Sequence, residues 1–119
     1  MTQFISAVTV LVPDYDQGLA FYVDTLGFVL VADTALPDGN RWVLVSPEGE
    51  QGTNLLLAKA DTPEQITATG NQTGGRVMMF LTTDDFAADH ERYLQAGVNF
   101  LELPRHEAYG TVAVFEDPF

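Results

Sequence analysis

The sequence predicts an α+β fold made of two copies of one strand–helix–strand module, and three observations carry that expectation. Residues 5–12 form a β-branched run that gives way, after Asp14, to apolar residues at helical spacing. The same change of period occurs at Asp84-Asp85. Laying Asp14 on Asp85 brings Tyr15 onto Phe86 and Tyr22 onto Tyr93, and puts Gly27 within one position of Gly97.

The first strand ends at Pro13, which has no N–H to give to a ladder. Leu19, Tyr22, Val23 and Leu26 then recur at helical spacing, and Gly27 supplies a C-terminal cap. Residues 28–32, 41–46 and 54–58 read as three strands, separated by the turn-forming Pro37-Asp38-Gly39-Asn40 and Pro47-Glu48-Gly49. The order so far is βαβββ. Residues 61–75 are polar and read as a linker, with a short helix near Pro63-Glu64-Gln65-Ile66. The order then restarts: 77–82 as a strand, Asp84-Asp85 as turn and helix cap, and Phe86, His90, Tyr93 and Leu94 as a helical stripe closed by Gly97. Strands at 98–103 and 111–115 follow. The expected organisation is one domain, with module one at 1–60, linker at 61–75 and module two at 76–119. The second copy is one strand short at Phe119, so either the last strand is missing or another segment covers the sheet edge.

Composition narrows the function classes. The chain has 119 residues, of which 46% are hydrophobic and 18% charged, as expected of a folded domain with one core. Seventeen acidic against five basic residues give a net charge of −12, which repels phosphate backbones and anionic lipid surfaces, so neither nucleic acid nor membrane is an expected partner. There is no cysteine, hence no disulfide, thiolate metal site or cysteine nucleophile. No segment resembles a signal peptide or a membrane span, and the cytoplasm is the expected compartment.

Phe21-Tyr22 followed by Leu26-Gly27-Phe28, after a strand and an Asp14 turn, resembles the opening module of the vicinal-oxygen-chelate superfamily of glyoxalases, bleomycin-resistance proteins and extradiol dioxygenases. Ala96-Gly97-Val98 is similar to that family's second module, and Asp117-Pro118 to the turn before its final strand. The resemblance implies two βαβββ modules forming a cup-shaped mixed sheet of eight strands, with helices outside, the ligand or metal within, and frequent dimers. Metal-dependent members place His and Glu ligands on the first, fourth, fifth and eighth strands, leaving coordination positions open for two substrate oxygens. Carried onto this sequence, those positions are Ala7 on the first strand, Leu56 on the fourth and Met78 on the fifth, with the eighth beyond Phe119. Ala7 and Met78 each stand seven residues before the turn aspartate. None of the three is a strong ligand, and a shift of register would bring only the neutral carbonyl of Asn54. The expectation is therefore no cofactor and no metal at the usual site.

Strand alternation puts Ala7 and Thr9 on one side of the first strand and Val8, Val10 and Val12 on the other. By the same offset Arg76, Met78 and Phe80 join the first set. Together with Trp42 and Leu56 they would line a cup suited to an apolar or aromatic small molecule, although the same side chains would also serve as ordinary core. Arg76 offers a cation for a ligand carboxylate, or a partner for a surface acid. His106 and Tyr109, in the connection 104–110, would reach the cup mouth as hydrogen-bonding or proton-transfer groups if that loop falls there, and are otherwise surface residues. His90 lies on the packed stripe of the second helix and reads as structural. Asp84-Asp85 read as caps, and Gly74-Gly75 lacks the fingerprint of a phosphate loop. Two functions follow: a homodimeric small-molecule-binding protein without the usual metal, or a glyoxalase-type lyase or extradiol-type dioxygenase with a non-standard site.

Overall fold

A computed structural model describes residues 1–49 and 52–119. The strands β1 (Ala7–Val12), β2 (Val29–Ala35), β3 (Arg41–Ser46) and β4 (Asn54–Lys59) form one mixed sheet in the order β1-β4-β3-β2. β1 runs parallel to β4, while β4–β3 and β3–β2 are antiparallel. The first helix crosses over one face of this sheet and begins as α1 (Tyr15–Leu19). Asp14 caps it by accepting from the Gln17 backbone N–H at 2.7 Å, a bond that holds the Asp14 carboxyl below its ordinary range.

The helix does not stay α-helical. Ala20–Thr25 widens into a π-turn, with the Leu26 N–H donating to the Phe21 carbonyl five residues back at 2.9 Å. This extra residue explains the one-position offset between the two copies. In the second helix, α3 (Phe86–Gln95), the closing bond runs from Val98 N–H to the Tyr93 carbonyl, five residues back. In the first it runs from Phe28 N–H to the Tyr22 carbonyl, six residues back. Tyr22 and Tyr93 are thus equivalent acceptors, followed by Gly27 and Gly97 at φ +79° and +89°.

The core lies between the helices and the sheet. Val10 and Val12 of β1, Val43 and Val45 of β3, and Leu55 and Leu57 of β4 pack against Phe21, Tyr22 and Leu26. Tyr93 and Val98 complete this cluster, and Phe100, Phe115 and Phe119 pack against it. Gly18 lets α1 approach the sheet: a Cβ there would sit 3.1 Å from Val12 Cγ1 and 3.2 Å from Leu57 Cδ1. The α+β class is as expected, and the βαβββ order of residues 7–59 is complete. The linker carries α2 (Pro63–Ala68), capped by Thr62.

The second half is less regular than the first. Residues 77–82 form no strand. In the first copy β1 takes its ladder from β4, and residues 76–119 contain no counterpart of β4, so this backbone has no parallel partner. The expected strands 98–103 and 111–115 shorten to β5 (Asn99–Phe100), paired with β8 (Phe115–Glu116), and are interrupted by a second hairpin of β6 (Arg105–Glu107) and β7 (Gly110–Val112). The Cα radius of gyration, 15.2 Å, exceeds the about 13.5 Å of a compact chain of this length. Module two does not fold over the free face of the sheet.

Candidate functional site: the open face of the four-stranded sheet

The pairing register decides what that free face carries. Residues opposite one another share a face, so Ala7 lies beside Asn54, Thr9 beside Leu56, and Leu11 beside Ala58. Leu56 is in turn opposite Leu44, which is opposite Ala32, and Trp42 is opposite Thr34. The sites of the core, Val10, Val12, Val43, Leu55 and Leu57, alternate with these and point to the helix side. Ala7, Thr9, Trp42 and Leu56 are therefore brought onto one surface, turned away from the helices. Trp42, the second residue of β3, is 44% exposed there.

The other five candidates stand apart from that surface. Arg76, Met78 and Phe80 lie on the unpaired segment 76–82; Met79, between the last two, packs towards the core, while Phe80 is 88% exposed. Arg76 is exposed, and its backbone carbonyl accepts a hydrogen bond from the Thr73 hydroxyl. His106 and Tyr109 belong to the β6–β7 hairpin, which shares no ladder with the four-stranded sheet. His106 Nδ1 lies 3.0 Å from Thr111 Oγ1, and Tyr109 projects from the hairpin tip. The His90 ring stacks on Phe86 at 5.5 Å and lies tilted against Phe100 at 4.5 Å, and the Asp85 side chain accepts from the Ala88 backbone N–H at 3.2 Å.

Charge is segregated from the open face. Arg41 and Asp33 turn to the helix side, where the guanidinium bonds both Asp33 oxygens at 2.7 and 3.1 Å and Asp16 at 2.9 Å. The bond from Arg41 holds the Asp33 carboxyl below its ordinary range. Lys59 alternates with Ala58 and so leaves the face as well. Among the described residues, what remains polar on the face is neutral: the hydroxyls of Thr9, Thr34 and Ser46 and the amide of Asn54.

This donor set does not fit the family's usual metal. Ala7 and Leu56 have no lone pair to give, and the neighbouring oxygens of Thr9 and Asn54 are uncharged and weak ligands for a divalent transition metal. Among the described residues no group of three or more His, Cys, Asp or Glu side chains converges.

The outer edge of β1 is covered by a residue that sequence reasoning missed. The Gln72 side chain accepts from the Leu11 N–H at 2.7 Å and donates to the Thr9 carbonyl at 3.1 Å, occupying both backbone groups a neighbouring strand would use. No local pattern in 61–75 marks that role. Leu44, Ala58 and Thr34 were also passed over, although the period of two from Trp42 and Leu56 identifies the first two.

Comparison with known proteins places this architecture. The family model of the Glyoxalase/Bleomycin resistance protein/Dioxygenase superfamily matches residues 4–119. An uncharacterized protein of Shewanella frigidimarina (strain NCIMB 400) is 49% identical over 118 residues, covering 98% of this chain and 87% of that protein. The crystal structure of UcmS2 matches with a TM-score of 0.80 and 33% identity, over 99% of this chain and 92% of the other. That of TnmS3, an antibiotic binding protein from Streptomyces sp. CB03234, matches with a TM-score of 0.78 and 32% identity, over 98% and 88%. Among the described residues no helix is long and apolar enough to cross a membrane. With a complete βαβββ unit, a family match over nearly its whole length and these neighbours, the chain belongs to the Glyoxalase/Bleomycin resistance protein/Dioxygenase superfamily.

Proposed function

We propose that this chain binds a small apolar or aromatic molecule against the open face of its four-stranded sheet, without a metal at the usual position, as a cytoplasmic homodimer. The observation that carries the reading is the face itself: Ala7 and Leu56 stand where metal-dependent relatives are expected to keep ligands, and a half-exposed Trp42 shares their surface. Apolar walls with a few neutral polar groups suit ligand burial better than Lewis-acid chemistry. The antibiotic-binding neighbour TnmS3 supports a sequestering role over a catalytic one.

A homodimer is part of the reading because one chain leaves two apolar surfaces unmatched. The open face is one, and residues 77–81, with Val77, Met78, Phe80 and Leu81 all exposed, are the other. In this reading module one (1–60) supplies one wall of the cup. Module two (76–119) of a second copy supplies the opposite wall, with the partner's Arg76, Met78 and Phe80 over the ligand and the partner's His106 and Tyr109 at its rim.

Thermal-shift screening with aromatic acids, glutathione adducts and glycopeptide drugs tests the binding reading. A ligand that raises the Tm of the native protein, and no longer does so in Trp42→Ala, is the expected result. Near-stoichiometric, tightly held iron, nickel, zinc or manganese in the purified protein would overturn it. A monomeric mass by sedimentation equilibrium at micromolar concentration would remove the homodimer.

A further inference from the structure

The four-stranded sheet ends in two outer strands, β1 and β2, and their sequences protect them unequally. β2 has a bulge between Leu30 and Ala32 and a charged residue, Asp33, both of which hinder pairing with a strand of another molecule. β1 reads Ala-Val-Thr-Val-Leu-Val, without charge, proline or glycine, and keeps an unbroken register against β4. An uncharged β-branched segment on a free edge is a template for a second copy of itself.

Backbone alternation fixes which groups that edge offers. The Asn54 N–H donates to the Ser6 carbonyl at 3.0 Å and the Ala60 N–H to the Val12 carbonyl at 2.9 Å, so the even-numbered residues of β1 serve β4. Ala7, Thr9 and Leu11 therefore direct their N–H and C=O groups outward. Gln72 takes the Thr9 carbonyl and the Leu11 N–H, the two groups that flank Val10. A residue of a parallel neighbouring strand would take the same two, one with its N–H and the other with its C=O. The side-chain amide thus imitates one residue of an added strand. The turn that presents it is closed by the Gly74 N–H on the Asn71 carbonyl at 3.2 Å and joined to the end of α2 by the Asn71 N–H on the Ala68 carbonyl at 2.8 Å.

We propose that Gln72 is a built-in strand surrogate that closes the β1 edge to β1 of a second copy. With Gln72 withdrawn, the edge is self-complementary. Around a twofold axis at Thr9, the two Thr9 residues exchange N–H and C=O, each Ala7 pairs with Leu11 of the other copy, and the two sheets become one. The central exchange needs the Thr9 carbonyl and the flanking pairs need the Leu11 N–H, the same two groups that Gln72 occupies. This inference is independent of the binding function proposed above, which uses the face of the sheet and not its edge.

Sedimentation equilibrium of the native full chain, Gln72→Ala and Gln72→Asn, from low to high micromolar concentration, tests the role of Gln72. The asparagine variant keeps the amide but holds it one methylene short of the edge. Whatever mass the native protein has, both variants should reach twice that mass, associating at least tenfold more tightly than the native protein does. In the dilute variants the Leu11 amide should exchange at least tenfold faster than in the native protein, and concentrating them should restore its protection. Adding Thr9→Lys at this exposed position sets like charges opposite one another on the axis, and should weaken the association at least tenfold. Native mass in both variants at every concentration would overturn the proposal. So would association that leaves the Leu11 amide open or that Thr9→Lys does not weaken, because the contact would then lie away from β1.

Discussion

The Tyr22 hydroxyl donates a 2.8 Å hydrogen bond to an Asp117 carboxylate oxygen, tying the first helix to residues 95 positions away. The other Asp117 oxygen accepts from the Phe119 N–H at 3.0 Å, and the Phe119 ring meets Phe21 edge-on at 6.4 Å. The C-terminal residues are thereby held over the π-turn. Tyr22→Phe keeps the ring packing and removes the bond, so it should cost about 1.5 kcal/mol, the low end for a hydrogen bond to a charged group. Urea denaturation of the variant and the parent measures this.

The same residue makes an alkaline prediction. Burial first, and the Asp117 charge second, push the Tyr22 phenol above its ordinary value. The unfolded phenol ionises near pH ~10, while the folded one keeps its proton to higher pH. The folded state then binds more protons than the unfolded state, so stability is full below about pH 10 and falls as pH rises beyond it. Tyr93 is raised by burial as well, so Tyr22→Phe should reduce this loss without abolishing it. Urea midpoints recorded between about pH 9 and pH 11 check the slope.

Leu56 and Leu57 are adjacent in sequence and lie on opposite faces of β4. Leu57 is fully buried under the helix, and Leu57→Ala should cost about 2–5 kcal/mol. Leu56→Ala removes a partly exposed side chain and should cost about 1 kcal/mol or less. Comparable losses for the two would mean that the open face is closed core in solution.

Gly18 is where the helix touches the sheet. A Cβ placed there meets Val12 and Leu57, both fully buried and without room to retreat. Gly18→Val should therefore destabilise by about 1–3 kcal/mol through overpacking, despite removing a helical glycine. Thermal unfolding followed by circular dichroism gives the number.

Gln72→Ala should free the Leu11 N–H and the Thr9 carbonyl along the edge of β1. Global stability should drop by about 1 kcal/mol. The sharper readout is amide hydrogen exchange, in which the Leu11 amide should lose protection while Leu57 in the sheet interior keeps its own.

By itself the sequence determined what is local: the change of period at Asp14 and Asp85, the caps at both helix starts, the glycines that end them, and which side of β1 carries Ala7 and Thr9. Each follows from spacing or from backbone preferences a few residues apart. Even the one-position offset between the copies was legible in the sequence, although its cause, a π-turn between Tyr22 and Gly27, was not. The tertiary structure decided what depends on partners distant in the chain. It left 77–82 without a ladder, because strand propensity does not supply a neighbour, and it carried Met78 and Phe80 away from the surface shared by Ala7 and Leu56. It also divided 98–116 into two short ladders, setting His106 and Tyr109 on an outer hairpin, and brought Gln72 to the edge of β1. Those outcomes turn on which backbone donors find acceptors across the fold, and period and composition do not encode that pairing.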